Sequence, residues 1–518
     1  MVGYRLSTGG KPIRRHEFIS LFGSAAAARP FSARAQSLRV RAKSLRVKAL
    51  VFGLAFATVA AAILTRPDNK LRDFDQSFYV TMAYDLDRHA TLSNGIFVDI
   101  DSAVAEARPG MFFGPVYPVL VLAAMKIDSR FAEAVRCAVE ADRKHRDENT
   151  CEPYARPVRI LHALLLALGV LAIASAGQHL FASRAVFWLS GVLATVALAI
   201  EAPIFSFVMT ESLTFSLYSI FALAMVLAWT SGRTRYFILT GGVLGVLCLT
   251  RLSFLAVFPL AVALSAICAY RRRPAAATSI MAMTTVFACM MLAWGVRNVL
   301  SVGKFGLSEE YGAAVLIERF AYNDMSAHEF LLAFPFCTPG LGELAFDTVY
   351  GTDSMHRFVF FTPGSFFNVG RDRRDQLVAE HGRLDPLIGH IVREEMRSNW
   401  WRHLLVSFPL AWCGMWAGWV VSLMLLPLFI CACGRAIRQG RLLFVLYAAP
   451  PLAMLALHAL IANHYTRYNL ILIGPYAVGA AWILSVLFGR LQSHGLGDSL
   501  QLARSGEGDS KRRSCNCE

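Results

Sequence analysis

Runs of apolar residues, each closed by a short polar connector, recur along most of the chain. The first is Val47–Leu64, and several others are long enough to cross a hydrocarbon layer about 30 Å thick. Spans are predicted at Val47–Leu64, Ile160–Leu180, Val186–Ile200 and Ile204–Trp229. A hairpin follows, with arms Phe237–Thr250 and Leu252–Tyr270. Ser279–Val296, Leu404–Cys433, Leu442–Ala462 and Leu470–Phe488 complete the set. The expectation is an all-α polytopic membrane protein of about ten transmembrane helices.

Two polar stretches interrupt this rhythm, residues 66–158 and 297–403. The first contains Phe112–Met125, which is apolar but short and carries Pro115 and Pro118. Charge parity decides its role. If it crossed, Arg184, Arg233, Arg235 and the run Arg271, Arg272 and Arg273 would fall outside, against the positive-inside bias. It is therefore predicted as an interfacial helix. Both long stretches then become extracytoplasmic loops and both termini cytoplasmic. Residues 1–46 read as a basic cytoplasmic extension, 47–488 as the membrane domain and 489–518 as a cytoplasmic tail. Arg14 and Arg15, followed by an Ala-rich stretch, have the outline of an export signal. Cleavage there would leave Arg39, Arg41, Lys43, Arg46 and Lys48 outside, so the cytoplasmic reading is preferred.

Composition alters one point. The net charge of +15 could suggest nucleic acid, but only 17% of residues are charged, and Lys and Arg gather in the connectors. That is a membrane-topology signal, and no nucleic-acid partner is expected. Cys137 and Cys151 share a loop and can form a disulfide if it faces an oxidising compartment. Cys248, Cys268, Cys289, Cys413, Cys431 and Cys433 read as packing residues. Neither the Cys431/Cys433 pair nor the Cys515/Cys517 pair has zinc-site spacing.

Candidate chemistry concentrates on the outer side. Asp73 and Asp75 follow span one directly, in a stretch where Tyr79, Ala83 and Leu86 recur at helical spacing, as on a surface-lying helix. Glu211 is expected about two turns inside span four, where a carboxylate is expensive to bury and points to function. Arg251 closes the outer tip of the hairpin, Arg297 ends a span, and Arg467 with Tyr468 opens the last one. Span-end arginines can simply snorkel to headgroups. Three on the outer side run against the charge bias and suggest a phosphate site instead. Arg108 and Lys126 are weaker candidates. His328, His356 and His464 lack ligand-like spacing.

In order along the chain, Asp73-Phe-Asp75-Gln-Ser-Phe-Tyr79, Gly114-Pro115-Val-Tyr117-Pro118 and Thr210-Glu211-Ser-Leu are followed by a Gly-rich hairpin (Gly241, Gly242, Gly245) ending at Arg251. Trp294-Gly-Val-Arg297-Asn298 and Arg467-Tyr468 come after it. Together they resemble the landmarks of the GT-C class of polytopic glycosyltransferases, near the protein O-mannosyltransferases and lipid A aminoarabinose transferases. The resemblance runs from about Lys48 to Phe488. It departs where Phe74 separates the two first-loop acids, so either Asp73 or Asp75 could be the base. Residues 128–157 look inserted, and 297–403 match no known domain.

The resemblance implies a polyprenyl-phosphate sugar donor and inverting transfer to an extracytoplasmic glycan, lipid or protein acceptor. On that reading Asp75 or Asp73 activates the acceptor, Arg297, Arg467 and Arg251 hold the phosphate, and Glu211 orients hydroxyls. Tyr468 accompanies Arg467, and membrane lipids surround the whole. The resemblance names no particular cofactor, and a divalent cation stays open. Two alternatives share the setting: a transporter or flippase of lipid-linked saccharides, and a polysaccharide polymerase or ligase.

Overall fold

A computed structural model describes residues 31–95, 107–143, 151–270, 276–309, 311–346, 349, 351–463 and 465–489. The Arg14–Arg15 motif, His464, the Arg271–Arg273 run, Cys515 and Cys517 lie outside them. The chain divides into two units, Met1–Val51 and Phe52–Glu518. The described part of the first is helical; the helix Phe31–Leu64 begins in it, and every other element below belongs to the second.

Among the described residues the regular structure is helical throughout. Seven helices are long and apolar enough to cross a membrane: Leu45–Leu64, Arg156–Phe181, Glu211–Ser231, Ala277–Val302, Trp419–Arg438, Leu442–Ile461 and Thr466–Gly489. Shorter apolar helices occupy Arg184–Ile200, Thr234–Thr250 and Leu252–Cys268, where the sequence predicts further spans. The chain is thus a membrane-embedded, multi-pass helical protein.

The labels used below are α1 (Phe31–Leu64), α2 (Gln76–His89), α3 (Val116–Ile127), α4 (Ser129–Arg143), α5 (Arg156–Phe181) and α6 (Arg184–Ile200). They continue with α7 (Glu211–Ser231), α8 (Thr234–Thr250), α9 (Val257–Tyr270) and α10 (Ala276–Val302). The second polar stretch forms α11 (Tyr311–Phe320), α12 (Ala327–Cys337), α13 (Phe366–His381) and α14 (Asp385–Gly414). Two further helices are α15 (Ser422–Arg438) and α16 (Leu442–Ile461).

α3 has 12 residues, about 18 Å at 1.5 Å per residue, too short to span. It packs with α2 and α4 around Tyr79, Tyr117, Val121 and Phe131. Gly114 precedes it, and a Cβ there would stand 1.9 Å from the Leu249 carbonyl oxygen. Only glycine lets this segment reach the end of α8. Gly241 does the same inside α8, where a Cβ would lie 2.3 Å from the Met283 carbonyl oxygen of α10.

Two predicted boundaries change. The run 204–229 is not one helix: a turn at Ala202–Phe205 ends, and α7 begins only at Glu211. Other segments hold the gap. Gln76 Oε1 accepts the Val208 N–H at 2.8 Å. Arg159 of α5 donates from Nε to the Ser206 carbonyl at 3.0 Å, and through its other nitrogens to the Arg66 and Pro67 carbonyls. His162 Nδ1 donates to the Phe205 carbonyl, so its Nε2 accepts the Tyr117 hydroxyl, both at 2.9 Å. Backbone groups that a continuous helix would satisfy internally are satisfied here by side chains.

The run 404–433 is likewise two helices. α14 ends at Gly414 and α15 begins at Ser422. Gly418 between them has φ 95°, a left-handed conformation no helix continues. Its N–H donates to Glu201 Oε1 at 2.9 Å. The candidate span is therefore Trp419–Arg438, and α14 belongs with the second polar stretch.

That stretch is a helical layer with apolar centres of its own, one around Tyr322, Phe358 and Phe366, another around Ile317, Phe320 and Leu384. Ser326 and Glu329 form a capping box that starts α12. Arg319, fully buried, fixes the layer to the bundle. Its Nε donates to the Ala459 carbonyl of α16 at 2.8 Å and its Nη2 to Ser407 Oγ of α14 at 3.0 Å. Among the described residues two disulfides occur, Cys137–Cys151 and Cys337–Cys413. The second corrects the reading of Cys413 as a packing residue; α12 and α14 lie side by side and bring its partner within reach.

Candidate functional site

Helix ends set the position of the site. Asp75 is the N-cap of α2, Glu211 lies in the first turn of α7, and Arg251 is the C-cap of α8. Each charge complements the helix terminus it occupies, acids at amino ends and the guanidinium at a carboxyl end. All three line one cavity of about 610 Å³.

Arg467, from the 3₁₀ turn opening the last span, joins them. Its Nη2 donates to Asp75 Oδ2 at 2.8 Å, and its Nε lies 3.8 Å from Glu211 Oε1. Arg251 Nη1 approaches the same Glu211 oxygen at 3.7 Å. Tyr468 carries both cations on its ring, Arg251 at 4.3 Å and Arg467 at 5.3 Å from the centroid. The two acids and two guanidinium groups form a neutral quartet. Glu211 is 4% exposed, and its Oε2 has no hydrogen-bond partner among the described residues. Asp75 keeps 44% of its side chain exposed. A buried oxygen with unused acceptor capacity beside a more accessible carboxylate is suited to a ligand rich in hydroxyls.

The other wall comes from the second polar stretch, through Tyr311, Glu318, Phe361, Phe367 and Arg371. Burial raises the Tyr79, Tyr311 and Tyr465 hydroxyls above the usual phenol range. They stay protonated near neutrality and can donate into the cavity. Burial also pushes Glu318 up, while Arg374, 2.6 Å away, pulls it down.

Of the residues singled out in the sequence, Asp75, Glu211, Arg251, Arg467 and Tyr468 come together. Asp73 and Arg297 do not. Asp73 is not among the residues that line the cavity, and its backbone carbonyl accepts Gln76 Nε2 at 3.1 Å. Arg297 is corrected from phosphate ligand to loop anchor. It donates to the Gly110 carbonyl at 2.5 Å and the Leu92 carbonyl at 3.1 Å while lying over Trp294. Glu211 also moves, from an expected depth of two turns to the first turn of its helix. Lys126 pairs with Asp87, away from the site. Among the described residues no group of three or more His, Cys, Asp or Glu side chains gathers as a metal site.

Sequence reasoning missed Tyr311, Glu318, Asn463 and Tyr465. The last two sit beside Arg467 in the chain, a proximity that could have marked them. Tyr311 and Glu318 reach the cavity only through the packing of α11. The chain matches no protein-family model, and no curated protein matches it either.

Proposed function

We propose that this protein is a membrane glycosyltransferase that moves a sugar from a polyprenyl-phosphate donor to an extracytoplasmic acceptor. The observation that carries this is the convergence of Asp75, Glu211, Arg251 and Arg467, from four separated segments, on one cavity. The reading includes ten spans, seven long helices plus Arg184–Ile200, Thr234–Thr250 and Leu252–Cys268, with both termini cytoplasmic. Basic connectors support that orientation. So do the two disulfides, which belong to a compartment where such bonds persist.

The donor phosphodiester carries one negative charge, and its entry draws Arg467 from Asp75. Asp75, released from its ion pair, accepts the proton of the acceptor hydroxyl. The hydroxyl oxygen forms its bond to the anomeric carbon from the face opposite the phosphate. The anomeric carbon–oxygen bond breaks, and its electron pair stays on the departing polyprenyl phosphate. Arg251 and Arg467 stabilise the charge that builds there, and Glu211 accepts hydrogen bonds from sugar hydroxyls. Asp73, outside the cavity wall, takes no part.

The test uses purified protein in detergent with a polyprenyl-phosphate sugar, following release of polyprenyl phosphate. Wild-type protein releases it. A protein that neither binds nor turns over such donors would refute the reading.

A further inference from the structure

Asn463, on the cavity lining, is 5% exposed, and its Oδ1 has no hydrogen-bond partner among the described residues. Its Nδ2 donates to Glu318 Oε2 at 3.4 Å, which fixes which way the amide points. Glu318 is itself buried, with its other oxygen on Arg374 at 2.6 Å. This corner therefore presents an acceptor that lacks a donor. Arg371, on the same wall, lies over the Phe367 ring at 5.6 Å and supplies donors.

An aromatic platform adjoins it. Phe361 and Phe367 meet at 5.3 Å between centroids, and Tyr465 is held flat by stacking on Phe360 at 3.9 Å. Phe361 is 52% exposed, and Phe74, its neighbour at 5.8 Å, is 55% exposed. Both have positive φ, 66° and 54°. A bulky residue is strained there, and such strain gathers at ligand sites. Phe74 directly precedes Asp75, so the platform ends beside the proposed base.

We propose that this corner is the acceptor subsite and that its ligand is a neutral saccharide. The proposal rests on the glycosyl-transfer reading and narrows it. The C–H face of a pyranose carries slight positive charge and stacks on the negative face of an aromatic ring. Its hydroxyls donate and accept at once, supplying the donor that Asn463 Oδ1 lacks and an acceptor for Arg371. Glu318 and Asp375 balance Arg374 and Arg371, so the corner offers a phosphate or uronate no net positive charge. A lipid tail would leave Asn463 Oδ1 buried and unpaired, and a serine or threonine side chain has no face for the platform.

The experiment passes the full chain, in nanodiscs, over an array of neutral oligosaccharides, uronic-acid oligosaccharides, phosphoglycolipids and Ser/Thr-rich peptides. Retention on neutral oligosaccharides is expected, reduced at least tenfold by F361A, at a side chain that is 52% exposed, and by N463S, with the melting temperature of each variant measured alongside. Retention on another class, no retention at all, or retention that both variants leave intact would overturn the subsite. Labelling of the same wild-type preparation by a photoreactive polyprenyl phosphate keeps the two proposals apart. Labelling without sugar retention defeats the saccharide subsite alone, and failure to label defeats the donor reading beneath it.

Discussion

Arg467 bridges the two acids of the site, so its removal and theirs should have different signatures. Asp75→Asn keeps shape and loses the base. Transfer is expected to fall by about 10²–10⁴, the usual contribution of a positioned general base, with donor labelling retained. Unchanged turnover would remove Asp75 from that role. Arg467→Met removes the hydrogen bond to Asp75 and one of the two cations beside the buried Glu211, leaving Arg251 at 3.7 Å. The loss should therefore stay below the ~3–5 kcal/mol of a fully broken buried ion pair. The double variant Arg467→Met/Glu211→Gln should recover much of the lost thermal stability but none of the activity, as read by melting in detergent beside turnover. Residues of this kind were legible because a charge at the end of an apolar run is conspicuous. Arg297 gave the same signal and a different outcome. Only the folded first loop shows that the Leu92 and Gly110 carbonyls take its guanidinium.

At the scale of elements, the site depends on where helices stop. Gly114→Ala would drive a methyl group into the Leu249 carbonyl, two residues before Arg251. It should lower both melting temperature and turnover. Gly434→Ala, with nothing within 4 Å of its added Cβ, should change neither. Equal behaviour of the two variants would contradict the close approach of α3 to the end of α8. Hydropathy located most of the membrane helices but ran through the breaks at 206–210 and 415–418. Those breaks are made by Gln76, Arg159 and Glu201, polar side chains far away in sequence that satisfy the exposed backbone. The helices of the second polar stretch were illegible for a related reason. Their apolar residues face one another across long separations, so no local period announces the cavity wall that Tyr311 and Glu318 complete.

For the whole molecule, orientation is the first quantity to measure. In a background lacking the exposed Cys289 and Cys431, Lys126→Cys should react with a membrane-impermeant maleimide in intact cells. Arg438→Cys should react only after permeabilisation. The reverse pattern would place the cavity on the cytosolic side and end the proposed use of an outward-facing donor. Alkylation in denaturant without reductant should spare Cys137, Cys151, Cys337 and Cys413. Reaction at all four would show an environment that keeps them reduced.

Gln76 ties the last of these scales to the first. One amide receives the Val208 N–H and donates to the Lys70 and Asp73 carbonyls, so the base and the start of α7 are riveted together by consecutive residues. Neither acid can drift without carrying the other. Breathing of the chamber, and with it turnover of bulky products, then falls to the opposite wall, where α13 meets α11. Deuterium uptake should accordingly be slow along Gln76–Thr81 and faster along α13, and a Gln76→Leu variant should blur that asymmetry by unfastening the first loop.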